Sequence, residues 1–388
     1  MPYTTPTVNY SATLNGTYTS LTGIQSVSIS RGRQRFQDNF PQTNCVIELI
    51  PANSYALPLA VGQFIDVRDA NSSSSPAYFV GAITDVSRQF AMPYKSGTGA
   101  APQDRITITA TGAVGRMAST VIDTFTPIAS TVSNVIDIIA ADNAGVDMFS
   151  VVPSMVAVPA TTFQGGSLDL INGLLRTGQY LIDDLDSKRV ALTSSQFTAT
   201  NFAAGIGNRQ FVFSDAGTVG AYEFDGLEYL SSVQNAFTEI EVVAPGLATQ
   251  KASTGSAPFN SLVYDTYNAS TADALSLANF ILATQDRVAV TPFSITTSTI
   301  QSPTCTLISL LSTRDIVSPG ADVGMNLGAG VTVIFRGTTA AAQIQGINTF
   351  FYPDYARVQL YLSPSLGTPF TLDSNTFGVL DTNRLGYP

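Results

Sequence analysis

The sequence predicts a mainly β chain with an α+β insertion, in which two small β-barrels flank a compact α+β module. Three observations favour this class. Short segments rich in β-branched residues alternate with clusters of Pro, Gly, Asn and Ser over most of the 388 residues. Apolar residues at helical spacing are confined to a few windows. Two distant parts of the chain also share a similar order of glycine turns and strands.

The N-terminal part predicts the first barrel. Five segments have the length and the period-two alternation of strands, and turn-forming residues separate them. These segments are 23–30, 44–50, 64–68, 78–86 and 105–111. The polar stretch 91–103 predicts a long loop of the kind that often carries function.

The middle of the chain predicts the α+β module. Apolar residues occur at helical spacing in the windows 130–141 and 167–177, and Ser167 is expected to cap the second helix. A hairpin follows, with strands at 179–182 and 189–192 joined by an acidic turn. The change in periodicity marks a module distinct from the barrel before it.

The β pattern then returns, interrupted by one helix at 271–282 that has an apolar stripe. The predicted domains are a first barrel at 1–118, an α+β module at 119–204, a second barrel at 205–264 and 287–364, an inserted helix at 265–286, and a C-terminal packing tail at 365–388. Six apolar residues of this tail are expected to contact partner proteins. They are Phe370, Leu372, Phe377, Val379, Leu380 and Leu385.

A weak internal repeat relates the two predicted barrels. Each copy has a strand after a glycine turn, a strand with an internal glycine, and a strand opened by an arginine. The first copy is 59–67, 79–83 and 104–108, and the second is 325–333, 344–348 and 356–362. Glycine inside a strand marks a bulge or a close backbone approach. Chance similarity among β-rich segments is the alternative explanation.

The composition excludes several classes of function. The chain has no histidine, so a Ser-His-Asp triad and histidine-ligated zinc sites are excluded. Charged residues make up 12% of the chain, against about 25% in typical soluble proteins. The net charge of −10 argues against a basic nucleic-acid groove. Arg31, Arg33 and Arg35 alternate along the chain, and we interpret them as a solvated strand end.

We interpret the acidic clusters as ordinary surface features. Asp183, Asp184 and Asp186 have partial calcium-ligand spacing, but a hairpin turn is favoured over a cation site. The pairs Glu223 with Asp225 and Glu239 with Glu241 have the spacing of solvated strand residues, which is favoured over a glycosidase pair. The sequence therefore predicts no catalytic residue, no cofactor and no metal.

The remaining motifs also favour structural roles. Cys45 and Cys305 lie in apolar surroundings and are interpreted as buried thiols. Gly165 and Gly166 before a helix predict a turn rather than a phosphate site, because the P-loop lysine is missing. The first twenty residues are polar and no window approaches about 18 apolar residues. Neither a signal peptide nor a membrane-spanning segment is expected.

Several segments together resemble the minor tail proteins of long-tailed phages, in the baseplate or tail-tip hub family. The resemblance begins with Ile-Ser-Arg-Gly-Arg-Gln-Arg-Phe-Gln-Asp-Asn-Phe at 29–40 and extends over nearly the whole chain. Its further segments are 44–49, 58–67, 78–83, 356–364, 370–373 and 377–386. The motifs are loose patterns of glycines and strands.

The resemblance implies a structural virion protein. In that family each subunit contributes two barrels related to the tail-tube fold, and three subunits form a pseudo-sixfold ring that continues a sixfold tube. The implied partners are two further copies, a tail-tube or distal tail protein, the tape-measure protein and tip or fibre proteins. Genomic DNA would pass through the channel without specific binding. The implied location is the distal end of the virion tail, after assembly in the host cytoplasm.

The chain departs from hubs that are fused to a cell-wall hydrolase, because it stops soon after the second barrel. We therefore expect no enzymatic activity. Two other classes of function stay open on the sequence. The 15 tyrosines and many hydroxyl side chains also suit a glycan-binding host-surface module. A histidine-free hydrolase that uses carboxylates is the third possibility.

Overall fold

The mainly β class predicted from the sequence is confirmed by the computed structural model, which has four helices among many strands in the residues it describes. The structure describes residues 3–14, 16–51, 57–70, 77–90, 104–144, 146–150, 156–184, 189–192, 210–215, 217–218, 221–230, 237–254, 260–285, 291–300 and 327–364. The predicted loop 91–103 and the predicted tail 365–388 lie outside these ranges.

The N-terminal part forms seven strands. They are β1 (Thr7–Ser11), β2 (Thr19–Ser20), β3 (Ile24–Gly32), β4 (Asn44–Leu49), β5 (Phe64–Arg68), β6 (Phe79–Gln89) and β7 (Arg105–Thr111). All five predicted strands are present, and β5 and β7 have the predicted bounds. Buried and half-buried residues alternate along β4, so one face of the strand packs on the core. The sequence-based prediction did not include the short strands β1 and β2.

The middle of the chain combines three helices with short strands. These elements are α1 (Ala113–Ala118), β8 (Val121–Phe125), β9 (Ser130–Thr131), α2 (Val132–Ala144), β10 (Asp147–Ser150), β11 (Ala157–Val158), β12 (Phe163–Gly166), α3 (Ser167–Gly178), β13 (Ile182–Asp184) and β14 (Arg189–Leu192). Both predicted helices are present as α2 and α3. The predicted hairpin is present as β13 and β14, which pair antiparallel, but its first strand is Ile182–Asp184 and not the predicted 179–182.

The predicted cap of α3 is wrong. The N-cap residue is Gly166, which has no side-chain cap hydrogen bond. The Ser167 side chain is fully buried, and its hydroxyl donates to the Thr120 carbonyl at 3.2 Å. Ser167 therefore joins the start of α3 to the segment after α1, because a buried hydroxyl needs a partner and finds one outside its own helix.

The last third of the chain completes the fold. Its elements are β15 (Gln210–Ser214), β16 (Gly226–Leu230), β17 (Glu239–Val243), β18 (Gln250–Ser253), β19 (Ser261–Asp265), α4 (Thr271–Gln285), β20 (Thr291–Ser298), β21 (Gly330–Phe335), β22 (Thr338–Phe351) and β23 (Ala356–Pro364). The predicted helix at 271–282 is present as α4. It begins with the hydroxyl of Ser270 accepting a bond from the Asp273 amide at 3.1 Å, as in an N-cap.

Thirteen strands from both ends of the chain form one continuous sheet. Its main path runs β16-β20-β23-β22-β3-β4-β7-β6-β5-β1-β2, and β21 and β15 extend it beside β22. The sequence predicted two separate barrels. Among the described residues no closed barrel forms, and the strands of the two halves share a sheet through the pairing of β3 with β22. Alternation along a strand predicts its buried face but not its neighbour, so this joint was not foreseen.

The strands β18, β17 and β19 form a separate three-stranded sheet that packs against α4. Ile240, Val242, Leu277 and Ile281 are fully buried in the core between them. The sequence-based interpretation placed β17 and β19 in the second barrel. A larger core unites both halves of the main sheet with the α+β module. No helix in the described part of the chain has the length and hydropathy to cross a membrane.

Candidate functional site

The most constrained polar site of the structure lies where the two halves of the main sheet join. β3 pairs antiparallel with the last part of β22, from Gly32 opposite Gly346 to Val27 opposite Phe351. Gly32 has a φ of +76°, and a Cβ there would lie 2.3 Å from the carbonyl oxygen of Gln345. Only glycine fits this close approach without displacing backbone. We call residues 31–40, which begin at this point, the junction segment.

Arg31 makes a buried ion pair at the start of the junction segment. Its Nη1 lies 3.0 Å from Oδ2 of Asp183, and each side chain is 3% exposed. The interpretation of Arg31 and Arg33 as a solvated strand end is wrong, because both side chains are buried. Arg31 lies on the same face of β3 as Val27 and Ile29, which are also buried. The alternation of Val27, Ile29 and Arg31 along the strand therefore already indicated in the sequence that Arg31 is buried.

Arg33 is held on three sides. Its backbone N–H donates to the Gln345 carbonyl at 2.9 Å, and its Nε donates to the Gln345 Oε1 at 2.9 Å. Its guanidinium carbon lies 4.5 Å from the centre of the Phe40 ring and 5.4 Å from that of Phe36. Burial lowers the pKa of Arg33 to about 10. The guanidinium therefore acts as a buried cation that fixes the segment against β22.

The rest of the junction segment reaches helix α3. The Phe40 amide donates to Asn172 Oδ1 at 2.8 Å, and the Asn172 side-chain amide donates back to the Phe40 carbonyl at 3.3 Å. The Arg176 guanidinium also donates to Asn39. Asn172 is 4% exposed, so its amide replaces the backbone partner that Phe40 lacks. Sequence reasoning missed this asparagine, since nothing local distinguishes it from a surface residue.

Phe36 connects the junction segment to the smaller core. Its ring stacks on Tyr264 of β19 with 6.4 Å between ring centres, and it is buried among the residues of that core. The Arg176 guanidinium lies 5.5 Å from the centre of the same tyrosine ring. Both halves of the sheet, the α+β module and the smaller core therefore all contact residues 31–40.

Two of the three acidic residues predicted to form a turn, Asp183 and Asp184, are buried in β13. Asp183 pairs with Arg31, and Asp184 accepts a hydrogen bond from the Val114 amide at 2.7 Å on Oδ1. Asp186 lies outside the described residues. No group of three or more metal-ligating acidic or sulfur side chains occurs in the described part of the chain. The interpretation of Asp183 and Asp184 as turn residues is wrong, because the strand continues through them.

The predicted carboxylate pairs are structural in different ways. Lys251 lies 3.9 Å from Glu239 and also contacts Glu241, so one shared cation offsets part of the negative charge of this pair. The hydrogen bond from Lys251 to Glu241 raises the pKa of the lysine. The other pair, Glu223 and Asp225, is exposed and is held by its backbone. The Thr297 hydroxyl donates to the Glu223 carbonyl at 2.9 Å.

Two further predicted features have different outcomes. Cys45 is a free thiol that is completely buried, and burial raises its pKa. Cys305 lies outside the described residues, as do the six predicted contact residues of the tail, Phe370, Leu372, Phe377, Val379, Leu380 and Leu385. The structure therefore leaves those contact residues as a prediction.

A shallow pocket of about 240 Å³ opens beside the junction segment. Arg33, Asp38, Asn348 and Tyr361 are among its lining residues. Pockets for small molecules or cofactors are commonly about 300–1,000 Å³ and mostly apolar. This one is smaller, and most of the residues that line it are polar. The arrangement as a whole is suited to holding elements together rather than to binding a ligand.

The fold is similar to that of several tail proteins. The 43 kDa tail protein of prophage MuSo2 from Shewanella oneidensis is 12% identical, with a TM-score of 0.57 over 92% of this chain and 98% of that one. The tail protein from Neisseria meningitidis MC58 is 12% identical, with a TM-score of 0.61 over 93% and 97%. The prophage tail protein gp18 from Listeria monocytogenes EGD-e is 12% identical, with a TM-score of 0.52 over 92% and 94%.

No protein-family model matches the sequence, and no curated protein matches it. The similarity is therefore one of structure. It extends over almost the whole length of this chain and of each of the three tail proteins, so the chain has their fold.

Proposed function

We propose that this chain is a structural virion protein of a phage tail, a tail-tip or baseplate hub that joins the tail tube to the distal tip. The single observation that carries the proposal is the shared fold, which includes at least 92% of this chain and 94% of each of three tail proteins. A fold by itself does not fix function. Here the resemblance of the sequence to the hub family leads to the same class of protein.

The proposed assembly is a homotrimeric ring. The chain contains two related halves, each with a meander of three antiparallel strands: β5, β6 and β7 in one, and β21, β22 and β23 in the other. Three copies would supply six similar units, which is what a sixfold tube needs at its end. Head-to-tail contacts form a closed ring when the rotation between neighbouring copies closes after a whole number of copies.

The ring would form the channel through which DNA leaves. The net charge of −10, with only 18 lysines and arginines, favours a lumen that repels phosphates and lets the genome slide. The proposed neighbours are a tail-tube or distal tail protein, the tape-measure protein and tip or fibre proteins. The proposed role is assembly without catalysis, at the distal end of the tail, and the tail residues 365–388 are proposed as a contact surface.

The solution mass of the purified full-length chain tests the proposal. We expect light scattering to give three times the 40.9 kDa of one chain for the chain alone, or a complex that contains three copies of it after mixing with the tail-tube protein of the same phage. Electron microscopy is expected to show rings with a central opening. A chain that stays monomeric with every tail protein would contradict the hub. Specific glycan binding by such a monomer would favour a host-surface module instead.

A further inference from the structure

The two halves of the main sheet repeat the same strand order. The path β5-β6-β7-β4-β3 in the first half corresponds to β21-β22-β23-β20-β16 in the second. All pairings within each path are antiparallel. The correspondence therefore extends two strands beyond the meander that the sequence repeat had indicated.

Local hydrogen bonds fix the correspondence residue by residue. Gly62 donates to the Ile83 carbonyl at 2.9 Å, and Gly328 donates to the Ile344 carbonyl at 2.8 Å. An irregularity in the pairing with the next strand follows each of these isoleucines. Ile83 of β6 thus corresponds to Ile344 of β22. Counting along both strands, Phe90 corresponds to Phe351.

The neighbouring strands give the same alignment. Gln89 lies opposite Arg105 in the first half, and Phe350 lies opposite Arg357 in the second. Arg105 and Arg357 are the arginines that open the third strand of each sequence repeat. The next pairings, through β4 in the first half and through β20 in the second, extend this alignment to the outer strands. Ser28 of β3 is then equivalent to Glu228 of β16, and Val27 is equivalent to Leu227.

Equivalent strands have different partners in this chain. β3 covers the outer edge of β22 beyond its bulge, and Phe351 there is 1% exposed. Among the described residues no strand covers the corresponding edge of β6, and Phe90 is 51% exposed. β16, the equivalent of β3, is likewise the last strand of the described sheet path. A sheet edge of this kind is a template for another strand.

We propose that β16 of one copy pairs antiparallel with the end of β6 in a neighbouring copy, in the register that joins β3 to β22 within the chain. Leu227 then lies opposite Phe90, and Glu228 lies opposite Gln89. The pairing is head-to-tail and continues the main sheet from one copy to the next. It rests on the proposed function only for the number of copies, which is three in a closed ring.

The internal joint is the reason for choosing a second copy as the partner. The chain already makes this contact once between its own halves, so the same backbone geometry is available at both remaining edges.

A cross-linking experiment on the full-length chain tests the register. Directly opposite residues of an antiparallel pair have Cα atoms about 4.5–5.5 Å apart, which is within the range for a disulfide. We therefore expect the double variant Gln89→Cys/Glu228→Cys to form intermolecular disulfides on oxidation. A non-reducing gel should show covalent dimers and trimers, which a reducing agent returns to monomers.

Matched variants separate register from mere proximity. Gln89→Cys/Leu227→Cys places the two thiols on opposite faces of the proposed sheet and should cross-link at least tenfold less. All variants also carry Cys305→Ser, so that the buried Cys45 is the remaining native thiol. The single variants Gln89→Cys and Glu228→Cys should then form no covalent trimer.

The outcomes distinguish this inference from the proposed function. A trimer in solution without the cross-link would overturn the strand pairing and leave the hub intact. Efficient cross-linking in both double variants would also overturn the register. A covalent series that continues beyond three chains would support the pairing and contradict the closed trimer. A chain that stays monomeric and does not cross-link would overturn both.

Discussion

At the scale of single residues, the buried ion pair of Arg31 and Asp183 shows that the junction segment is joined to the α+β module by a specific polar contact. Both side chains are 3% exposed, so neither charge can be solvated by water. Moving a charge out of water is costly, and the attraction between the two groups offsets that cost only while both are present. The pair therefore acts as a specific connection between β3 and β13.

Replacing one partner should be far more harmful than replacing an exposed pair. We expect Arg31→Met to lower the free energy of unfolding by about 3–5 kcal/mol, because it leaves Asp183 charged and buried. Urea unfolding followed by circular dichroism gives this value. The matched control is Arg105→Met, whose partner Glu48 lies 3.8 Å away in an exposed setting, and which should cost less than about 1 kcal/mol. Equal losses in the free energy of unfolding in the two variants would contradict the special role of the buried ion pair.

The tyrosines determine the predicted dependence of stability on pH. Burial raises the pKa of Tyr3 and Tyr78, so the folded protein favours the neutral phenols. The unfolded chain loses these protons near pH 10. Their contribution is therefore complete below about pH 10 and is lost as the pH rises further. With no histidine, the free energy of unfolding should change little between pH 6 and 8.

At high pH, the effect of Arg33 on the free energy of unfolding is opposite to that of the tyrosines. Its pKa is lowered to about 10 in the folded protein, so the unfolded state binds more protons above that value and stability would rise with pH. Tyr78→Phe separates the two effects. Urea unfolding from pH 9 to 11.5 should show a shallower decline in this variant than in the natural chain. An identical decline would mean that Tyr78 does not contribute.

The sequence was least informative about single buried polar residues. Arg31 follows Val27 and Ile29 on one strand face, and that pattern does indicate burial. Nothing in the sequence indicates that its partner is Asp183, about 150 residues later. The same holds for Asn172 and Gln345, because pairing between distant polar groups depends on tertiary packing rather than on local pattern.

At the scale of elements, the end of β3 depends on Gly32. Its positive φ turns the chain out of the strand, and its missing side chain leaves room for the Gln345 carbonyl. The strands themselves were largely predictable, because alternation and turn residues are local signals. The order of strands in the sheet was not, since one residue pattern is compatible with several neighbours.

Gly32→Ala should therefore weaken the junction more than a glycine replacement elsewhere. The matched control is Gly246→Ala, because Gly246 has the same φ of +76° and a Cβ added there would meet nothing within 4 Å. The control should cost about 1–2 kcal/mol from backbone strain alone. Gly32→Ala adds a clash with backbone and should cost clearly more. Thermal unfolding of both variants measures the difference. Equal decreases in melting temperature would show that the Gln345 carbonyl can move away from the added Cβ at little energetic cost.

At the scale of the whole molecule, the internal repeat was the most useful feature of the sequence. Its glycine turns and opening arginines correspond in the structure, although the alignment of the middle strand shifts. The sequence pattern paired Gly81 with Gly346, whereas the hydrogen bonds make Ile83 equivalent to Ile344. The predicted domain boundaries stay predictions, and limited proteolysis at the segments between them would test them.

The equivalent residues Phe90 and Phe351 allow the effect of one substitution to be compared at a buried and at a half-exposed position of the repeat. They occupy equivalent positions, but Phe351 is buried against Tyr78 with 4.8 Å between ring centres, and Phe90 is half exposed. Phe351→Ala should lower the free energy of unfolding by about 3–5 kcal/mol. Phe90→Ala should cost clearly less, about 1 kcal/mol, since only half of its side chain is buried in a single copy.

Assembly should respond to Phe90 in the opposite way. If Leu227 of a neighbouring copy covers Phe90 as Val27 covers Phe351, Phe90→Ala should raise the dissociation constant of the trimer at least tenfold, or about 1.4 kcal/mol. Sedimentation over a range of protein concentrations measures both quantities on the same sample. An exposed residue elsewhere, changed by Ile128→Ala, provides the control for loss of apolar surface alone. Equal weakening by Phe90→Ala and Ile128→Ala would mean that the edge of β6 has no special part in assembly.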